Sequence, residues 1–286
     1  MKKNSLLPVF LLSCSLIFCK PRAFTIEQAL KNKFAEFKVV QVNGYTGQCL
    51  KLSVINLSSD SVYIKITPGW VFDSDDNKKQ DLLVVKAFIF ALKKGEQKTE
   101  SIYANCCQMK KSAPTGSKFS KSKLGKSQLV ELAEFVSSGD YPVNVVANAV
   151  WAVSDNAPIS NICGAGEFMD EEVRKKVAQI LKKSLPWYHV TTKTKEFPDG
   201  RIEVRQISLY GEFSCNLRKG TEFQVKLTDV SGREIMLLSS FKTAEENFQN
   251  YFIDFSVEFL PKNEFYIMFE DRQGKELLKK NVDLKM

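Results

Sequence analysis

Apolar residues recur at every second position over much of the first hundred residues. Leu50, Leu52 and Val54 alternate with Lys51 and Ser53, and Val62, Ile64 and Ile66 alternate with Tyr63 and Lys65. A period of two with a polar run between (Asn56–Asp60) predicts strand, turn and strand, each with one buried face. Pro68–Gly69 closes that unit, and Leu82–Leu92 and Lys98–Ala104 supply further strands on either side of Lys93–Lys94–Gly95. Strands joined by short polar turns predict an antiparallel sandwich over about residues 38–108. Ahead of it, Ile26, Leu30, Phe34 and Phe37 recur at helical spacing behind a Thr25/Gln28 capping-box pattern, which predicts a helix from Thr25 to Phe37.

The period changes again after a Lys/Ser/Gly/Pro-rich stretch at 110–126 that reads as a loop. Gln128–Val136 is amphipathic, and Val143–Val153 is apolar almost all round, the mark of a buried helix. Asp170–Leu185 turns Val173, Val177, Ile180 and Leu181 inward, with Glu171 and Glu172 in its first turn and Lys182 and Lys183 in its last, the charge order a helix dipole favours. Beyond Pro186 the alternation returns. Phe223, Val225 and Leu227, then Ile253, Phe255, Val257 and Phe259, then Phe265, Ile267 and Phe269 each mark one strand face. The expected fold is therefore mainly β with a helical section: two antiparallel β-sandwich domains flanking a small all-α region. The expected divisions are 1–20, 24–108, 109–186 and 187–286.

The first of these divisions is a targeting signal. Lys2 and Lys3 precede an apolar run from Ser5 to Cys19, and Lys20–Pro21 ends it. That run is too short to span a bilayer and matches a secretory signal peptide. Leu11–Leu12–Ser13–Cys14 resembles a bacterial lipobox, so a lipid-anchored form and a free secreted form both stand. Export to the periplasm, outer membrane or surface of a Gram-negative bacterium is expected. It would place Cys49, Cys106, Cys107, Cys163 and Cys215 in an oxidising compartment. A bridge from Cys49 to Cys106 or Cys107 is the expected disulfide, because it would tie two strands of one domain.

The net charge of +8 first suggests a polyanionic partner, but its distribution removes that reading. Lys2, Lys3 and Lys20, with the six lysines of 110–126, account for all of it, and the rest of the chain is close to neutral. Nucleic-acid binding needs phosphate contacts spread over a face together with a groove-reading helix or stacking aromatics. The lysine stretch holds one aromatic, Phe119. No nucleic-acid partner is expected.

Catalytic and metal constellations are equally sparse. His189 is the only histidine, which excludes two-histidine metal motifs and histidine relays. Gly125–Lys126–Ser127 ends like a P-loop, but Ser120 stands where the first glycine is needed. Asp73, Asp75 and Asn77 open like a calcium loop, yet Lys78 replaces the turn glycine and Val84 the bidentate glutamate. Cys163–Gly164–Ala165–Gly166 lacks the strand and third glycine of a dinucleotide cradle. The paired carboxylates Asp75/Asp76, Glu171/Glu172 and Glu245/Glu246 are adjacent and point apart. No cofactor, metal or catalytic residue is expected.

Two segments carry a family resemblance. Ile102–Tyr103–Ala104–Asn105–Cys106–Cys107–Gln108 and Ala147–Asn148–Ala149–Val150–Trp151–Ala152–Val153–Ser154–Asp155 resemble the paired signatures of bacterial surface thioester domains, an aromatic-Cys segment and a Gln-x-Ala-[Ile/Val]-Trp segment. The resemblance implies a covalent adhesin in which Cys106 or Cys107 is acylated by a glutamine. That glutamine position falls on Ala147, which has no carboxamide to form the bond. The same pattern is similar to exported envelope proteins of Bacteroidetes-type bacteria, in which Trp151 and Asp155 are a structural signature: a core side chain and a helix end. Phe223–Glu234, a strand, a D-x-x-G turn and a strand, resembles the small Ig-like sandwich modules that end many exported bacterial proteins. In those modules a Gly-Tyr-x-[Val/Ile] strand follows, and Glu264 replaces its glycine here.

The function expected from these readings is an exported binding or scaffolding protein without catalytic activity, with a protein or surface-glycan partner and membrane contact only through a lipid anchor. The alternatives are the thioester-type adhesin, which Ala147 disfavours, and a hydrolase using two carboxylates in an interdomain cleft.

Overall fold

The structure is a computed structural model, and it describes residues 22–164, 167–197, 202–243, 247–260 and 264–285. The signal-like segment 1–20, with Cys14 and Cys19, lies outside the described residues. The fold is mainly β, with four α-helices and several antiparallel sheets among the described residues.

The chain opens with β1 (Arg22–Thr25) and passes directly into α1 (Ile26–Lys31). The capping box forms: Gln28 N–H donates to Thr25 Oγ1 at 3.2 Å and Thr25 N–H donates to Gln28 Oε1 at 2.9 Å. The helix ends well before the expected Phe37. Lys33 adopts a left-handed φ of 55°, and Phe34 N–H returns to the Ala29 carbonyl at 2.9 Å. Phe34 then packs on Phe24 (4.9 Å between ring centroids), and Phe37 enters β2 (Ala35–Val42). Helical and two-residue spacings overlap at Phe37, and pairing along β2 prevails.

The chain continues through β3 (Leu50–Asn56), β4 (Val62–Ile66), β5 (Trp70–Asp73), β6 (Leu82–Val84), β7 (Phe88–Leu92), β8 (Gln97–Ile102) and β9 (Ala104–Cys106). The lysine-rich stretch is not a loop throughout, because Lys121–Leu124 forms β10 and pairs antiparallel with β5. The sheets are β1-β4-β7, β2-β3-β8 and β10-β5-β6-β9. The β1–β4 pair is parallel, an exception to the antiparallel expectation. Leu50, Leu52, Val54, Val62, Ile64 and Ile66 share one core with Trp70, Phe72, Leu82, Val84 and Cys106. Val71, Leu83 and Cys107 point the other way, into a second core built with the helices. Burial on both faces explains why Leu82–Val85 reads as an unbroken apolar run.

The helices are α2 (Ser127–Ser137), α3 (Val143–Ser154) and α4 (Glu167–Leu181). The last begins earlier than expected and stops before the two lysines. Lys182 takes a φ of 54°, and Lys183 N–H closes on the Ala178 carbonyl at 3.0 Å.

The final unit comprises β11 (Tyr188–Glu196), β12 (Ile202–Leu217), β13 (Glu222–Thr228), β14 (Glu234–Lys242), β15 (Asn247–Ser256), β16 (Glu264–Asp271) and β17 (Glu276–Asp283). Its sheets, β11-β12-β15 and β14-β13-β16-β17, contribute to one cluster that contains Phe223, Val225, Leu227, Phe265, Ile267 and Phe269. Phe259 departs from its expected strand face. It follows β15 and is 91% exposed.

One charged side chain joins the helical layer to this unit. Arg174 of α4 lies on the inward face and is 2% exposed. Its guanidinium donates to the Pro186 carbonyl at 2.6 Å, the Tyr188 carbonyl at 2.9 Å and Glu171 Oε2 at 3.0 Å. Its Nη1 also lies 2.8 Å from His189 Nε2. Truncating a buried charge strands the partners it holds all at once. Arg174→Ala should therefore lower the unfolding free energy by about 3 kcal/mol, read from the urea midpoint and slope. A loss under about 1 kcal/mol, the worth of a surface ion pair, would contradict the clamp.

Candidate functional site

The two segments singled out by resemblance adjoin in space. Pro142 precedes α3, and Asp155 caps its end with φ −123°. Asp155 Oδ2 accepts the Met109 N–H at 3.0 Å, and the Ser154 hydroxyl is shared between the Cys107 and Val150 carbonyls. The end of α3 thus pins the segment that leaves β9 through Cys107. Trp151 is partly buried and stacks on Tyr45, with ring centroids 6.0 Å apart and planes inclined by 22°.

Most of α3 is buried, but Asn144, Asn148 and Trp151 recur at helical spacing along one stripe that is not. This stripe faces the outermost strand of the sheet β11-β12-β15. Between them lies a cleft of about 520 Å³, lined by Tyr45, Asn144, Asn148 and Trp151 on one side and by Thr192 and Thr194 of β11 on the other. Lys111 and Glu196 are its charged lining residues.

A larger depression of about 620 Å³ also lies at the junction. Four of its lining side chains are engaged within the depression itself. Trp187 Nε1 donates to the Asn281 carbonyl at 2.8 Å, Tyr188 Oη to the Asp283 carbonyl at 2.6 Å and Lys183 Nζ to Asn156 Oδ1 at 2.6 Å. In the smaller cleft the Asn148 carboxamide and the Thr192 and Thr194 hydroxyls make no side-chain hydrogen bond to the described protein. The smaller cleft is the candidate site.

The expected disulfide is not formed. Cys49, Cys106 and Cys107 are buried thiols, and Cys49 Sγ donates to the Ala104 carbonyl at 3.1 Å. Burial pushes the Cys49 thiol up to about 11. It pushes Cys106 and Cys107 further in the same direction, and the neighbouring Cys49 and Asp81 add to the effect. A protonated, buried thiol is a poor nucleophile. Cys163 is half-buried in the cleft wall, with Sγ 3.8 Å from the Val190 carbonyl. The side chain of Cys215 lies outside the described residues.

His189 stacks on Tyr210 (4.8 Å, 2°) beside the Arg174 guanidinium. Burial and that positive charge lower its pKa from 6.5 to about 4, so the imidazole is neutral at neutral pH. The calcium-loop look-alike is spent on structure. Asp73 pairs with Lys123 at 2.9 Å, and Asp75 accepts from the Ser120 hydroxyl at 2.6 Å, a bond that holds its carboxyl below the usual range. Gly125 N–H binds the Gly69 carbonyl at 2.8 Å, which makes that segment a strand-to-helix turn. Ala165, Gly166, Glu245 and Glu246 lie outside the described residues. Among the described residues, no group of three or more His, Cys, Asp or Glu is placed to hold a metal, and no helix is long and apolar enough to cross a membrane.

No protein-family model matches the chain, and no curated protein does. Among solved structures it is similar to an endonuclease/exonuclease/phosphatase from Beutenbergia cavernae, at 10% identity and a TM-score of 0.20, over 90% of this chain and 84% of that one. At that TM-score the likeness carries no argument.

Two measurements follow from this geometry. The folded state binds a proton at His189 less readily than the unfolded state does, so stability should fall as pH drops from about 6.5 towards about 4. His189→Gln should flatten that part of the profile, and an unchanged urea midpoint profile in the variant would contradict the assignment. Native-state labelling with a maleimide should modify Cys163 and spare Cys49, Cys106 and Cys107, as read by peptide mapping. Labelling of the three buried thiols in the folded protein would contradict their burial.

Proposed function

We propose that the chain is an exported, non-catalytic binding protein that holds its partner in the cleft between α3 and β11. The observation that carries this reading is the polar and aromatic stripe Asn144–Asn148–Trp151, left uncovered on an otherwise buried helix and facing threonines with unspent hydroxyls. These groups are solvent-accessible and not spent on the protein, so in a concave site a ligand can replace their water. The protonated, buried thiols and the lack of a carboxamide at Ala147 weigh against acyl transfer through the resembling segments. Neutral His189 sits against an arginine, which weighs against its use as a base.

In this reading the sheets of the first and last units form two β-sandwiches, and the helical layer between them supplies one wall of the cleft. The leader-like segment at 1–20 supports export to the envelope of a Gram-negative bacterium, with a lipid anchor as the means of membrane attachment.

The test is affinity capture from an envelope extract with the purified protein. The wild type should retain a ligand, and Asn148→Asp and Tyr45→Ala, both at incompletely buried positions, should retain at least tenfold less while melting normally. Capture that is absent, or equal in the variants, would overturn the reading.

A further inference from the structure

We infer that the cleft between α3 and β11 takes an uncharged oligosaccharide. The inference rests on the binding role proposed above and names the chemical class of its ligand. A sugar ring presents a patch of C–H groups on its faces and a rim of hydroxyls that both donate and accept. A complementary site needs an aromatic plate beside side chains that also donate and accept. The cleft holds both. Tyr45 is 49% exposed and stacks with Trp151 at 6.0 Å, giving a plate with one open edge. The Trp151 indole N–H is buried and has no partner, so this residue offers ring and not donor to the cleft.

Hydrogen-bonding capacity flanks the plate on both walls. Asn148 is one helical turn from Asn144 on α3, and its carboxamide is unspent. Asn144 gives one hydrogen to the Cys163 carbonyl at 3.2 Å and keeps its oxygen and second hydrogen. Thr192 and Thr194 face them with unspent hydroxyls, while Thr191 is tied to Ser208 at 2.7 Å. Carboxamides and hydroxyls match a rim of sugar hydroxyls because each can serve either role.

Charge and size narrow the class. Lys111 and Glu196 cancel, so the cleft has no net charge to attract a phosphate, a sulfate or a uronic acid. A volume of about 520 Å³ lies within the range of small-ligand clefts. It suits a short run of sugars better than a folded partner. A peptide added to the open edge of β11 would need pockets for alternate side chains. The apolar side chains of the lining, among them Met109, Ala113, Ala147 and Ile202, are scattered between polar ones and form no such series.

The test uses a printed array of uncharged and acidic oligosaccharides, followed by titration of the best binder against tryptophan fluorescence. Uncharged glycans should bind, and Tyr45→Ala and Asn148→Ala should each weaken binding at least tenfold. Thr194→Arg, a bulky change at an exposed position, should block the cleft, and Val230→Ala, at an exposed position outside the cleft lining, should change affinity less than twofold. Binding confined to acidic glycans, or affinity unmoved by Tyr45→Ala and Thr194→Arg, would overturn the inference. An array without binders alongside envelope capture of a protein sensitive to the same variants would overturn the glycan assignment and leave the binding role standing. Failure of both would remove both.

Discussion

The buried guanidinium of Arg174 is the constraint on which the rest of the arrangement depends. A charge taken out of water must find its full set of acceptors, and geometry good enough to satisfy it leaves little freedom. Arg174 finds its acceptors in Glu171 on its own helix, in the Pro186 carbonyl of the connecting segment, in the Tyr188 carbonyl at the start of β11 and in the imidazole of His189. The connector and the first residues of β11 are thereby fixed against α4. Burial, helped by the same charge, keeps His189 neutral, so the imidazole accepts a hydrogen bond without adding repulsion. Tyr188 extends the clamp, because its hydroxyl donates to the Asp283 carbonyl and accepts the Asp283 N–H, which ties the first strand of the last unit to its final one.

Function follows from where that clamp sits. With β11 held, its threonines stand opposite α3, and α3 is held in turn by Asp155 and Ser154 bonding the segment just after β9. Two rigid walls with unspent polar groups form a site that need not reorganise on binding, and preorganisation of that kind favours affinity over area. The cysteines serve the opposite purpose. They fill two cores as small apolar groups, and burial keeps them protonated.

Much of the β architecture was legible because one-sided burial writes a period of two into the chain, as Leu50–Leu52–Val54 and Phe265–Ile267–Phe269 show. The strand Lys121–Leu124 was not legible. An edge strand with one neighbour and a solvated face has no need of alternation, and this one is placed by Asp73–Lys123 and by its pairing with β5. The helical spacing of Phe34 and Phe37 runs past the end of α1 because Phe37 also fits the alternation of β2, and the left-handed turn at Lys33 carries no glycine to announce it. Arg174 left a signal that could have been read, a charge beside Val173 on the inward stripe of an amphipathic helix. Half of the cleft could likewise be read from Asn144, Asn148 and Trp151 on an apolar helix. Tyr45 and the β11 threonines come from distant parts of the chain, and only the tertiary fold brings them to that stripe. The cysteine bridge was expected from an oxidising compartment, whereas the structure commits the Cys49 thiol to a backbone carbonyl.

The most direct test of the account is site-specific photo-crosslinking in native cells, with a benzophenone amino acid placed at Thr194 in the cleft or at Val230, an exposed position on the turn after β13. The account predicts adducts of raised mass from the cleft position alone. Equal adducts from both positions, or adducts only from Val230, would contradict it.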